Sequence, residues 1–307
     1  MTKVNRFQKT HALNSWLNLG LSIILVICVF ASIVINLLAN PTEVVQEVGL
    51  KTFRMFTVLS NMFVGVTSAM TIPFAVDGIR QKNYHLPRWI MNMTLLSVTS
   101  IAVTFVITLF ILSPQAGFVL MMATRSNLML HTIVPLIALV SFLFINTYHT
   151  IKFRTTLYAV APVLLYALFY LVLAIVIGEK NGGWRDHYHF QELMPWYFVF
   201  VVILLLAFGL ANLLRFVHNR MHQRDKAATA AYYQNAEEYD LPTIEAAIVK
   251  LAKENKRHDK GGEVVVPRRI INIFIKKYQC QKDLADLCGI YLDEYLKPNC
   301  DKEVTKS

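Results

Sequence analysis

Six runs of apolar residues, each about as long as a bilayer is thick, set the terms for any fold this chain can adopt. They lie at roughly 14–39, 53–76, 89–112, 127–146, 156–177 and 196–217. About 20 helical residues cross a ~30 Å hydrocarbon core, and each run approaches or exceeds that length. A backbone in lipid has to satisfy its own polar groups, and a helix does so within the segment. The sequence therefore predicts an all-α polytopic membrane protein with six transmembrane helices.

Charge agrees with that reading. Of the 307 residues, 55% are hydrophobic and 16% charged, against ~25% charged in soluble chains. Residues 1–214 hold 13 Lys/Arg and 6 Asp/Glu, whereas residues 215–307 hold 17 and 14. A fully soluble globular protein is excluded, and so is a disordered one. We divide the chain into a six-helix transmembrane domain, 1–218, and a charged, helical, cytoplasmic tail, 219–307. The net charge of +10 reads as basic loops facing anionic lipid, with no nucleic-acid partner.

Orientation follows the basic residues. Lys3, Arg6 and Lys9 precede the first run, Arg80, Lys82 and Arg88 follow the second, and Lys152 and Arg154 follow the fourth. Arg215, Arg220, Arg224 and Lys226 follow the sixth. The alternate loops are poorer in Lys/Arg or offset by acids, which places both termini in the cytoplasm. The first run is too long for a signal-peptide core and reads as a retained helix.

The tail carries helical patterns at 242–257, from Pro267 through Ile275, and at Leu284, Leu287, Cys288 and Tyr291. Such faces can pack together, self-associate, bind a cytoplasmic partner or lie on the membrane. The tail holds no phosphate loop, metal signature or nucleophile elbow. Cys28, Cys280, Cys288 and Cys300 are widely spaced and signal neither a zinc site nor a disulfide framework.

Polar side chains inside the spans mark the place to look for function, because they are costly in hydrocarbon. The second span opens with Arg54, Thr57, Ser60 and Asn61 on one face, and the fourth with Arg125, Ser126, Asn127 and His131. Thr57 and His131 each sit about four residues inside their spans, a depth of roughly 6 Å at ~1.5 Å per residue. A threonine hydroxyl needs a base to become a nucleophile, and a neutral imidazole can serve. Asn61 and Asn127, with Ser60 beside them, are candidate oxyanion donors or substrate contacts. Asp186 is a candidate to orient the imidazole. The alternative is structural, with hydroxyls, carboxamides and a lone histidine bonding within and between helices.

These segments also resemble a known family. Phe56-Thr57-Val58-Leu59-Ser60-Asn61, and Asn127-Leu128-Met129-Leu130-His131-Thr132 followed by Pro135, resemble the androgen-induced and androgen-dependent membrane protein family, most of all its prokaryotic six-helix relatives. The run Trp184-Arg185-Asp186-His187-Tyr188-His189-Phe190 is similar to an aromatic loop of those relatives. The resemblance covers about residues 10–217. It implies an intramembrane threonine hydrolase for fatty acid esters of hydroxy fatty acids, with the threonine at Thr57 and the histidine at His131. It further implies lipid as substrate, no cofactor and a bacterial plasma membrane. The charged tail departs from the family's compact pattern.

Other constellations are weaker. His218 and His222 stand four apart but lack a third metal ligand, and read as interfacial groups beside Arg215 and Arg220. Asp186, His187 and His189 read as a solvated loop rather than a metal site. His131 and His149 lack the partners a pair of haems requires. Tyr158, Tyr166 and Tyr170 read as packing or lipid contacts. The alternative to a hydrolase is a non-enzymatic lipid- or small-molecule-binding protein, or a transporter, in which Asn61, Asn127 and His131 line a pocket.

Overall fold

A computed structural model describes residues 3–40, 48–81, 86–147, 149–186, 188 and 195–234. Six helices are long and apolar enough to cross a membrane: α1 (Leu13–Leu38), α2 (Phe56–Arg80), α3 (Arg88–Ala116), α4 (Arg125–Ile145), α5 (Phe153–Ile177) and α6 (Trp196–Arg224). No strand occurs among the described residues. The tail helices expected beyond residue 234, the three tail cysteines, His187 and His189 lie outside them.

Helix ends depart from the hydropathy pattern where the backbone intervenes. α2 starts three residues late. Gly49 takes φ +61, a 3-10 turn runs over Gly49–Arg54, and Met55 is extended at φ −88, ψ 129. The sixth helix continues to Gln234, past the 218 boundary expected from composition. The alanine-rich stretch around Ala227–Ala231 favours that continuation.

Residue contacts divide the chain into two units. One is Leu13–Ile79 with Tyr84–His222; the other is Met1–Ala12, Arg80–Asn83 and Gln223–Ser307. In the second unit, the described residues are helical at 3–12, 80–81 and 223–234.

In the first unit, α3 is the most enclosed span and α5 and α6 the least. Ile90, Leu95, Val98 and Ile101 of α3 are fully buried with Phe142 of α4. Hydrophobic association is weak in lipid, so close packing and polar pairs hold such a bundle. Gly65 lets Val29 of α1 lie close to α2, since a Cβ there would meet Val29 at 3.2 Å. Buried polar pairs join the helices: Ser22 to Thr71 at 2.7 Å, Thr67 to Ser97 at 3.0 Å, and Asn18 to Asn146 at 2.6 Å. Each such bond contributes about 0.6 kcal/mol.

α6 also holds the connection between α4 and α5. The two ring nitrogens of His218 lie 3.0 Å from the carbonyls of Phe142 and His149. Asn219 accepts the Ile151 amide at 2.8 Å and donates to the Ile151 carbonyl at 3.0 Å. His222 Nδ1 meets the Thr147 carbonyl. His218 and His222 are buried, with His218 stacked on Phe142 at 4.7 Å. Protein encloses both rings, where their arginine neighbours imply a solvated setting. Their ring nitrogens meet backbone carbonyls, and no cluster of three metal-ligating side chains occurs among the described residues.

Candidate functional site

The late start of α2 decides the site's geometry. The first amides of a helix lack intrahelical acceptors. The Phe56 amide instead donates to the phenolic oxygen of Tyr188 at 3.0 Å. Burial pushes the Tyr188 phenol up from the ordinary tyrosine range, and polar groups of Tyr166, Phe56 and Thr57 near it pull it part of the way back.

Tyr188 belongs to a cluster built from α5 and the loop after it. Tyr166 donates to the Arg54 carbonyl at 2.7 Å, and Tyr170 to Asp186 Oδ1 at 2.6 Å. The Tyr170 ring lies 5.9 Å from Tyr166 and 5.3 Å from Tyr188, and Trp184 carries the Arg54 guanidinium at 5.8 Å. The turn into the loop depends on glycine. Gly178 and Gly182 take φ +71 and +85, and Gly183 and Trp184 donate to the carbonyls of Gly178 and Leu173.

Below this cluster lies a cavity of about 70 Å³ bounded by α2, α3, α5, α6 and Tyr188. That is room for a stretch of acyl chain rather than one water. Its walls are apolar, with Val103, Ile107, Leu171 and Phe200 among them. Its hydroxyls come from Thr57, Thr104, Thr108 and the three tyrosines. Tyr166 and Tyr170, expected as packing or lipid contacts, line this space; Tyr158 is 66% exposed and faces outward.

Thr57 is 6% exposed and lines the cavity. Ser60 donates to the Thr57 carbonyl and pairs with Thr104 at 3.0 Å, which carries it to the cavity wall at second hand. Asn61 is fully buried. Its Nδ2 donates to the carbonyl of Thr57 at 2.7 Å and to that of Leu130 at 3.1 Å. A carboxamide has two hydrogens to give, and both are spent here on backbone.

The fourth helix is organised differently. A short helix, Phe118–Ala123, precedes it between Gly117 at φ +98 and Arg125 at φ +44. The last carbonyls of a helix need outside donors. Asn127 Nδ2 donates to Leu120 O at 3.0 Å, His131 Nδ1 meets Met121 O at 2.7 Å, and Thr132 donates to Met122 O at 2.7 Å. A carbonyl only accepts, so a neutral His131 ring keeps its hydrogen on Nδ1 and its lone pair on Nε2. The orienting role offered to Asp186 thus falls to the Met121 carbonyl. His131 and Asn127 do not line the cavity, and among the described residues no hydrogen bond joins His131 to Thr57.

π-helical turns lie beside these groups, at Thr108–Leu112, Leu128–Ile133 and Leu171–Ile177. Such turns insert a residue and re-aim side chains. Thr108, Leu112, Leu171 and Ile175 of the cavity wall come from two of them, and His131 sits in the third. Comparison with protein-family models, with curated proteins and with solved structures finds no match.

Proposed function

We infer that this protein is an intramembrane hydrolase that cleaves a lipid ester, with Thr57 as nucleophile and His131 as base. One observation carries the reading. Buried Thr57 shares a largely apolar cavity with three tyrosines, inside a bundle of membrane-spanning length. An acyl chain lies along Val103, Ile107 and Leu171, with its ester carbonyl beside Thr57. The Thr57 oxygen attacks the carbonyl carbon while His131 Nε2 takes the hydroxyl proton. That proton passes to the leaving alcohol. Water, deprotonated in turn by His131, then attacks the acyl-threonine; its bond to Thr57 Oγ1 breaks, His131 returns the proton to that oxygen, and the acid is released. No cofactor enters.

The base has to come within hydrogen-bond reach of Thr57, a contact that often tightens only when substrate is bound. Asn61 favours the approach, since one amide nitrogen holds the carbonyls of Thr57 and of Leu130, the residue before His131. The substrate class that the resemblance implies, a fatty acid ester of a hydroxy fatty acid, fits mostly apolar walls that carry a few hydroxyls. With both termini in the cytoplasm of a bacterial cell, the cavity takes lipid from the outer leaflet. The tail serves a cytoplasmic partner or self-association.

A second reading is lipid binding or transport without chemistry. It is favoured by the placement of Asn127, His131 and Thr132 as caps of the short helix, away from the cavity lining. A lipid-ester hydrolysis screen and labelling by a fluorophosphonate probe separate the two. The hydrolase loses both in Thr57→Ala and hydrolysis in His131→Ala. A protein that retains fatty acid through purification, hydrolyses no ester and takes no label is a binder.

A further inference from the structure

A tetrahedral intermediate on Thr57 needs a hydrogen-bond donor at its oxyanion, and the carboxamides nominated by sequence are poorly placed to supply one. Asn61 gives both hydrogens to backbone carbonyls. Asn127 gives one to Leu120 and does not line the cavity.

Tyr188 differs in position. It lines the cavity together with Thr57, and its phenol oxygen takes the amide of Phe56, the residue before Thr57, at 3.0 Å. The carbonyl oxygen of an acyl group on Thr57 Oγ1 would sit a little over 2 Å from that atom, within reach of a neighbouring donor. We propose that Tyr188 is a catalytic residue of the hydrolase, the phenol that donates its hydrogen to the oxyanion formed when Thr57 attacks the ester. This rests on the reading of Thr57 as nucleophile.

As the Oγ1–carbon bond forms, the carbonyl π pair moves onto oxygen, and the phenol hydrogen bond strengthens without transferring its proton. The Thr57 proton goes to His131. On collapse the pair returns, the bond to the alkoxy oxygen breaks, and the alcohol leaves with the proton from His131. Preorganised donors of this kind act most strongly where charge develops in a site that excludes water. The phenol is held for the task from several sides: the Phe56 amide donates to its oxygen, the Tyr188 amide donates to Tyr170 Oη at 3.2 Å, and the rings pack together.

The test uses full-length protein in vesicles and a long-chain acyl ester, with Thr57→Ala, Tyr188→Phe and wild type measured side by side. Loss of one oxyanion donor lowers kcat about 10²- to 10³-fold. KM should move less than about threefold, because the ground-state carbonyl gains far less from the same donor. If Thr57→Ala is inactive and Tyr188→Phe keeps kcat within about threefold of wild type, the role given to Tyr188 is overturned and Thr57 stands. If Thr57→Ala still hydrolyses the ester, both fall. Should Tyr188→Phe fail to fold, 3-fluorotyrosine placed at position 188 keeps the ring and makes a stronger donor. It is expected to change kcat at constant KM, and an unchanged kcat overturns the assignment.

Discussion

Asn61 on α2 donates to the backbone carbonyl of Leu130 on α4 at 3.1 Å, and the same nitrogen donates to the carbonyl of Thr57 at 2.7 Å. One carboxamide thus links the turn that carries the candidate nucleophile to the turn that carries the candidate base. Asn61→Ala removes both bonds and leaves a cavity where the side chain was. We expect a loss of about 1–2 kcal/mol, seen as a lower unfolding midpoint in detergent, together with weaker hydrolysis. A variant that melts with wild type would mean that the two helices are held by something else.

His131 has two separable roles. Its Nδ1 side caps the short helix through Met121, and its Nε2 side is offered as base. His131→Asn keeps a donor for the Met121 carbonyl but has no basic nitrogen. It should unfold near wild type while hydrolysis falls about 10²- to 10⁴-fold, the range general-base catalysis contributes. His131→Ala should lose both stability and rate. Equal hydrolysis by wild type and His131→Asn would remove the imidazole from the mechanism.

Gly183 leaves no room for a side chain. A Cβ built there would collide with the carbonyl oxygens of Leu173 and Gly178. Because those atoms are backbone, Gly183→Ala has to reshape the turn that leads to Asp186 and Tyr188. Trp184 lies against Tyr170 at 6.5 Å, so its fluorescence should shift in the variant, and hydrolysis should fall. An unchanged spectrum and rate would detach the turn from the site.

High pH should weaken the fold through Tyr188. Its raised phenol remains protonated in the folded state at a pH where the unfolded chain, with an ordinary tyrosine value of about 10, has released its proton. The stabilising contribution is complete below about pH 10 and is lost as pH rises through the folded value. Between about pH 9 and 11 the midpoint of wild type should fall more steeply than that of Tyr188→Phe. Parallel curves would contradict the burial of this phenol.

The six spans were legible because hydropathy over about 20 residues is a strong and local signal. The polar face of Thr57, Ser60 and Asn61 was legible from helical spacing. The start of α2 was not, because Gly49 and Met55 set backbone angles inside an otherwise apolar stretch. The cavity escaped the sequence because its chemistry is assembled at long range. Tyr188 reaches Phe56 across 132 positions, and nothing in either segment announces the other. Pro135 did carry a usable hint. It lacks the N–H that would bond the His131 carbonyl, and the π turn ends directly before the segment that holds it. His218 and His222 misled by their neighbours: arginines nearby imply a wet interface, whereas both imidazoles are buried on backbone carbonyls.

That last arrangement bears on how the chain is made. Ribosomes deliver α4 and α5 before α6, so Thr147, His149 and Ile151 are synthesised without the side chains that later grip their backbone. The carbonyls they expose must wait on water or lipid headgroups until the final span arrives. Assembly of the bundle is therefore completed from its last helix, and chains interrupted before residue 218 should leave the ribosome with those contacts unformed.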